Sequence, residues 1–367
     1  MGEPLRVGVV GVGTISKQYL DVLTRLPNVD VVAAADLDTS RAKAVAEKYE
    51  GIRALTPDEL YDDAEVEAVL NLTIPVAHAS VSLAALGAGK HVYGEKPLAV
   101  TREEARPVLE AAAKAGLRVG CAPDTVLGTG TQTARALLDR GDIGVPTAAT
   151  AFFVSPGPEP WHPDPAFYYQ PGGGPLLDMG PYYLSALITL LGPIKRVTGR
   201  ASRAYEQRTV GSGPKQGTTF PVEVDTHVSG VIEHESGVLT TVVTSFDVWA
   251  AKLPRIEVYG TEGTLAVPDP NMFDGDVEVF SPSSREWTVA KVAGGYANAG
   301  RGYGVADMAR AIRQGGKHRA SGELAYHVLD VMESLLESAA QGGAPVDVES
   351  TVERPDPVPE GATPDAA

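Results

Sequence analysis

Leu5-Arg6-Val7-Gly8-Val9-Val10-Gly11-Val12-Gly13-Thr14-Ile15-Ser16 decides the fold. Leu5 to Val10 reads as a mostly apolar strand of the kind buried on both faces, and Ile15, Tyr19, Val22 and Leu26 recur behind it at helical spacing. Two glycines join strand to helix. Gly11 permits a tight turn, and Gly13 lets the backbone come close to a ligand, so that N–H groups from Thr14 and Ile15 onward face an anion at the helix start. Ser16 takes the third small position of the turn in place of glycine. By itself such a turn reads equally as a plain strand–helix connection.

The next strand changes that balance. Val29–Ala35 is apolar and ends at Asp36-Leu37, about twenty residues beyond the glycines. A carboxylate there accepts from both hydroxyls of a ribose, with Leu37 beside it. The alternative for Asp36 is a helix cap ahead of Thr39. With Asp38 close behind, a 2′-phosphate would meet negative charge at a cost on the order of a few kcal/mol, which favours NAD over NADP. A P-loop is excluded, because Gly89-Lys90 is followed by His91 and Ala84 stands where the upstream glycine is needed. Further strands are expected at residues 66–72, 91–93 and 118–122, and helices from near Pro75 and after Thr101, which forms a capping box with Glu104. Strands alternating with helices mean a parallel sheet covered on both faces, here residues 1–124.

Beyond residue 124 the pattern changes. A helix is expected at 130–139, followed by strands at 147–154, 196–203, 238–246, 255–259, 277–280 and 287–292. Another alternating strand puts Val222, Val224, Thr226 and Val228 on one face. C-terminal helices are expected at 303–312 and 323–340. The fold class is α/β: a Rossmann domain, then residues 125–353 as an α+β domain with a large, mostly antiparallel open sheet. Such a sheet leaves one face in need of cover, which a second copy in a homodimer or homotetramer would supply. Prolines 355, 357, 359 and 364 crowd the end, so residues 354–367 are expected to be a disordered tail.

Composition narrows the chemistry. The net charge of -16 disfavours nucleic acid and anionic membranes, and a small neutral substrate fits better. One cysteine, Cys121, allows no internal disulfide and reads as a buried strand residue. No apolar run reaches spanning length and the chain enters its first strand at once, so a cytoplasmic location is expected. The histidines lack paired-ligand spacing, so no metal is expected.

Ala88-Gly89-Lys90-His91-Val92-Tyr93-Gly94-Glu95-Lys96-Pro97 resembles the AGKHVxxEKP signature of the glucose–fructose oxidoreductase, inositol dehydrogenase and rhizopine-catabolism (Gfo/Idh/MocA) family. Gly172-Gly173-Gly174-Pro175-Leu176-Leu177-Asp178-Met179-Gly180-Pro181-Tyr182 is similar to that family's GGGxLxDxGxH, and residues 259–265 also match. These matches run in order from Gly11 to Leu265, about two-thirds of the chain.

The resemblance implies an NAD-dependent oxidoreductase that moves a hydride between the nicotinamide and a secondary hydroxyl or ketone of a sugar, inositol or related polyol. Lys96 follows a strand at the carboxyl end of the sheet, where such sheets bind ligands, and its ammonium would stabilise developing alkoxide character. Asp178 and Tyr182, four apart, share one face of a helix. The family usually has histidine at the second position. A tyrosine titrates near about 10 in water, and a cation such as Lys96 would lower that value. Asp178 also reads as an N-cap, with Pro181 in the first turn.

Thr73, Ile74, Pro75 and His78 resemble the family's TPxxxH stretch near the nicotinamide, and Glu95 adjoins the cofactor beside Lys96. His78 reads equally as a satisfied helix histidine. Trp161 and His162 lie in the loop 155–171, similar to the family's substrate-facing connection, though packing beneath that loop is nearly as good a reading for Trp161. Asp124 is a candidate contact for a hydroxyl or the nicotinamide. Two other functions remain open: cleavage of a glycosidic bond by transient oxidation on a retained NAD, and a non-catalytic NAD-sensing module.

Overall fold

The structure is a computed structural model that describes residues 2–365. Strands β1 (Leu5–Val10), β2 (Val29–Ala35), β3 (Arg53–Leu55), β4 (Ala68–Asn71), β5 (His91–Gly94) and β6 (Val119–Cys121) form one sheet, ordered β3-β2-β1-β4-β5-β6, with every pair parallel. Helices α1 (Ser16–Leu23), α2 (Thr39–Lys48), α3 (Pro57–Asp62), α4 (Pro75–Gly87) and α5 (Arg102–Ala115) connect them. The chain order reverses between β1 and β4. Strands diverging from that point open a crevice at their carboxyl ends, and the glycine turn lies on its edge.

The second half opens with α6 (Thr129–Arg140), β7 (Pro146–Val154) and α7 (Pro175–Leu191). The strands β8 (Ile194–Ser202), β9 (Gln207–Thr209), β10 (Thr219–Pro221), β11 (His227–His234) and β12 (Leu239–Ser245) come next, then β13 (Ile256–Gly260), β14 (Thr264–Val267), β15 (Glu278–Ser281) and β16 (Glu286–Val289). Helices α8 (Tyr303–Gln314) and α9 (Gly322–Ala340) precede β17 (Val346–Asp347). Nine of these strands form a sheet ordered β16-β15-β14-β13-β7-β12-β11-β8-β17, antiparallel except for the β7–β12 pair. Helices α7 and α9 cover one face. The other face exposes Val231, Leu239, Trp287 and Val289. Among the described residues no helix is long and apolar enough to cross a membrane.

Four expectations are corrected. The strand read through Val222 begins only at His227, because the Val222 and Glu223 N–H groups go to the Glu206 and Tyr169 carbonyls, on two different loops. Helix α8 packs on the parallel sheet: Val305, Ala306 and Met308 share a core with Leu5, Val7 and Tyr19. The chain therefore crosses back to its first half, which local periodicity cannot reveal.

Residues 354–365 are packed rather than a disordered tail; residues 366–367 lie outside the described residues. Val358 is buried and donates to Gln132, while Arg319 donates to the Asp356 and Pro357 carbonyls. Prolines leave few N–H groups to satisfy, and side chains elsewhere take up the carbonyls. Finally, only half of the Thr101 capping box forms: Thr101 accepts from the Glu104 N–H, but the Glu104 carboxylate turns to the Val100 N–H. A complete box stands instead at Thr56 and Glu59 on α3.

Candidate active site

The β1–α1 turn has the shape that a dinucleotide needs. Gly11 sits at φ +88°, and a Cβ there would lie 2.8 Å from backbone atoms of Leu72 and Thr73. Glycine is the residue that fits this turn against the chain just after β4. At Gly13 a Cβ would meet nothing within 4 Å, so the backbone is bare on its crevice side. No side chain caps α1; the Ser16 and Gln18 N–H groups go to the Gly13 and Ile15 carbonyls, which leaves those of Thr14 and Ile15, just ahead of the helix, for an incoming pyrophosphate.

Asp36 accepts from the Val12 N–H at 2.9 Å with one carboxylate oxygen and from the Asp38 N–H at 2.9 Å with the other. Each oxygen keeps a lone pair for a ribose hydroxyl. The cap of α2 is Asp38, which accepts from Ser40. Leu37, just after β2, is 95% exposed and Ile74, between Thr73 and Pro75 after β4, is 66% exposed. Water gains nothing by wetting them, whereas a planar base would cover them.

His78 does not reach the crevice. It is 2% exposed, with Nδ1 2.6 Å from the Pro97 carbonyl and Nε2 3.0 Å from the Thr73 carbonyl. It ties the two crevice loops together, the bland alternative its sequence context left open. Glu95, the first residue after β5, is buried. It accepts from the buried Tyr19 hydroxyl of α1 at 2.7 Å and from the Lys96 N–H at 3.0 Å. Cys121 is buried on β6, and burial pushes its thiol up.

Lys96, Asp178 and Tyr182 meet. The Lys96 ammonium donates to the Asp178 carboxylate at 2.7 Å and to the Asp178 carbonyl at 2.7 Å, and lies 5.4 Å from the centre of the Tyr182 ring. Asp178 is not the N-cap of α7. That position is Gly174, Pro175 opens the helix, and Pro181 lies inside it, so the Asp178 side chain is free to face Lys96. Burial works against the Lys96 charge, but Asp178 and Tyr182 outweigh it and hold the ammonium well above the usual lysine value.

Tyr182 behaves differently from the expectation that a cation would lower it. Burial dominates, Lys96 and Arg301 offset only part of it, and the phenol titrates above its ordinary value. It is therefore a protonated hydroxyl at neutral pH.

Asp124 is also displaced from its expected place. It is wholly buried, and one carboxylate oxygen accepts from the Gly302 and Gly304 N–H groups at 2.8 and 3.0 Å. It anchors the start of α8, and burial raises its pKa.

Two site residues escaped the sequence reading. Arg301 donates to the Tyr182 hydroxyl oxygen at 3.1 Å and to Asn271 at 3.3 Å. It lies 119 positions after Tyr182, and no local pattern links them. Tyr168 lies close enough to Lys96 and Asp178 to feel both charges, and burial first, then Asp178, pushes its hydroxyl up to about 12. The aromatic run Phe167-Tyr168-Tyr169 in the same loop as Trp161 was the available signal. Trp161 is 64% exposed and packs edge-on against His162 and Tyr168, which in turn stacks on Phe167 at 4.1 Å. These rings form an open aromatic wall beside the Lys96 group.

Comparison with known proteins agrees with this geometry. The family model described as "Oxidoreductase family, NAD-binding Rossmann fold" matches residues 5–122, and the "GFO/IDH/MocA C-terminal domain" model matches residues 131–266. The chain is 30% identical over 264 residues to 1,5-anhydro-D-fructose reductase of Ensifer adhaerens, covering 71% of this chain and 74% of that one. It is 34% identical over 171 residues to inositol 2-dehydrogenase of Salmonella typhimurium, covering 45% of this chain and 51%, about half, of that relative. Among solved structures, an NAD binding oxidoreductase from Klebsiella pneumoniae superposes with a TM-score of 0.80 at 26% identity, covering 94% of this chain and 99% of the other. Levoglucosan dehydrogenase in complex with NADH and L-sorbose shares the fold, with a TM-score of 0.79 at 23% identity over 95% of this chain and 100% of the other.

Proposed function

Since the chain belongs to the Gfo/Idh/MocA family of NAD-binding dehydrogenases and reductases, which act on CH–OH groups, we propose that it interconverts a secondary hydroxyl and a ketone on a sugar, inositol or related polyol, with Lys96, Asp178 and Tyr182 around the reacting oxygen. The observation that carries this reading is the Lys96 ammonium on Asp178, beside the Tyr182 ring at the carboxyl end of β5.

Gly11, Gly13, Thr14, Ile15, Asp36 and Leu37, with Thr73, Ile74 and Pro75 across the crevice, would hold the NAD dinucleotide, which when bound would supply the hydride acceptor or donor. Lys96 donates a hydrogen bond to the substrate oxygen as it gains alkoxide character, worth about a hundredfold or more in rate by comparison with oxyanion donors. Asp178 fixes the ammonium so that little reorganisation is left for the transition state. In the reducing direction the Tyr182 hydroxyl gives its proton to that oxygen; in the oxidising direction the phenolate takes the proton back. Trp161, His162 and Tyr168 offer ring faces to the C–H surface of a sugar, and Trp161, among the most exposed, suits a substrate that arrives from solvent. The apolar residues on the outer face of the large sheet support a homodimer or homotetramer formed there.

A panel of monosaccharides, disaccharides and inositols with NAD and NADP, read at the NADH absorbance, tests the reading. Net NADH with at least one polyol is expected, and Lys96→Ala should lower kcat by about a hundredfold or more while NAD still binds. Cleavage of a disaccharide without net NADH would replace this reading with transient oxidation. Unchanged function in Lys96→Ala would leave an NAD-binding module.

A further inference from the structure

Arg301 is an unusual cation to find in this place. It lies just before α8, its guanidinium is largely enclosed, and among the described residues no carboxylate forms an ion pair with it. Its side-chain acceptors are the Tyr182 hydroxyl at 3.1 Å and the Asn271 amide oxygen at 3.3 Å, both through Nη2, while Nη1 is buried without a partner. The nearby Glu95 and Asp124 carboxylates act on it only through space; burying a guanidinium with neither an ion-paired carboxylate nor a full set of acceptors is costly, and a side chain whose task was only to hold a loop would not need its charge.

The loop is in any case held by other means. Asp124, fully buried, accepts from Gly302 and Gly304 on either side of the α8 start, which fixes the backbone next to Arg301 and aims its side chain at Tyr182. The guanidinium carbon stands 5.5 Å from the Tyr182 ring centre, and the Lys96 ammonium 5.4 Å from it.

From this arrangement we infer that Arg301 is a positioning residue for the proton transfer: by donating to the phenolic oxygen of Tyr182 it leaves that hydroxyl's own proton to point at the substrate, and it stabilises the phenolate that remains once the proton has gone. A hydroxyl oxygen that accepts from a fixed donor has its O–H directed elsewhere. A cation on that oxygen then favours the charged product of the transfer. In the reducing direction the O–H bond of Tyr182 breaks and the new O–H bond forms on the substrate oxygen; a hydride from the bound nicotinamide and this proton together convert C=O to CH–OH, and the negative charge left on Tyr182 is favoured by Arg301 and Lys96 and opposed by the Glu95 and Asp178 carboxylates. The inference rests on the reading of the Lys96 group given above.

The test is a double-mutant cycle at saturating substrate. Arg301→Met should lower kcat by about ten- to a hundredfold, the size expected of one charge-assisted hydrogen bond, with KM for the sugar and affinity for NAD little changed. Tyr182→Phe carrying Arg301→Met should be no slower than Tyr182→Phe alone, because Arg301 acts through a hydroxyl that is already gone. The oxidation rate of Arg301→Met should also need a higher pH, whereas Arg301→Lys, which keeps a cation, should recover part of both kcat and the wild-type profile.

Additive losses in the cycle, or an Arg301→Met enzyme with the wild-type pH profile, would overturn the inference. Should Arg301→Met unfold, the Arg301→Lys profile decides alone, since a charge with poorer geometry must still shift it. A Lys96→Ala enzyme of full activity would instead remove the underlying reading, an outcome distinct from these.

Discussion

Tyr182 stands where the family's signature has histidine, and the exchange changes the pH at which a proton can move. Burial holds the phenol above its ordinary value despite two cations beside it. A raised acid is protonated at every pH below its own, so ketone reduction should be nearly flat from neutral to mildly alkaline pH and fall only above about 10, while alcohol oxidation, which needs the phenolate, should climb steadily over the same range. Tyr182→Phe should cost about a hundredfold in kcat in both directions. Tyr182→His should retain measurable activity, with the oxidation rate levelling near neutral pH, since an imidazole titrates near about 6.5. Stopped-flow or steady-state pH profiles of the three enzymes check this, and an alkaline limb that persists in Tyr182→His would assign the proton to another group.

Two elements carry the proposed cofactor half of the site, and each fails in its own way. The β1–α1 turn needs φ +88° at Gly11 and has the Leu72 and Thr73 backbone, just after β4, against the place a Cβ would take. Gly11→Ala should therefore destabilise the protein by about 1–3 kcal/mol, measured by urea unfolding without NAD, and weaken NAD binding as well. At the end of β2, Asp36 is already tied to the Val12 and Asp38 N–H groups, so its carboxylate is fixed in place for a ribose. Asp36→Ala should weaken NAD by about ten- to a hundredfold and reduce the discrimination against NADP, read by fluorescence titration with both dinucleotides. Helix α7 shows how an element can mislead when read locally. Asp178 and Pro181 together suggested an N-terminus, but Gly174 and Pro175 start the helix a turn earlier, and Asp178 spends its carboxylate on Lys96.

Across the whole molecule the chain leaves its second half twice to brace the first. Helix α8 joins the core of the parallel sheet, and the last dozen described residues run back over both halves, with Asn28 donating to the Pro364 carbonyl and Gly295 to that of Val358. Removal of residues 355–367 should lower stability by about 2 kcal/mol or more, from the buried Val358 alone, and leave Arg319 short of acceptors. On the outer face of the large sheet, Val231→Glu with Leu239→Glu should shift the proposed oligomer towards monomer in light scattering.

The parallel sheet, the nucleotide turn and Asp36 could be read from the chain alone, because each rests on residues close in sequence: a periodicity, a glycine pair, an acidic residue at a strand's end; Lys96 and Asp178, 82 positions apart, are joined in the sequence only through the resemblance to the Gfo/Idh/MocA signatures. Arg301 on Tyr182, Asp124 withdrawn beneath α8, His78 turned inward and the packed proline-rich end could not, since each depends on segments tens to hundreds of positions apart that meet only when the two halves fold together. Burial likewise belongs to the tertiary structure, and it is burial that reverses the expected direction of the Tyr182 hydroxyl.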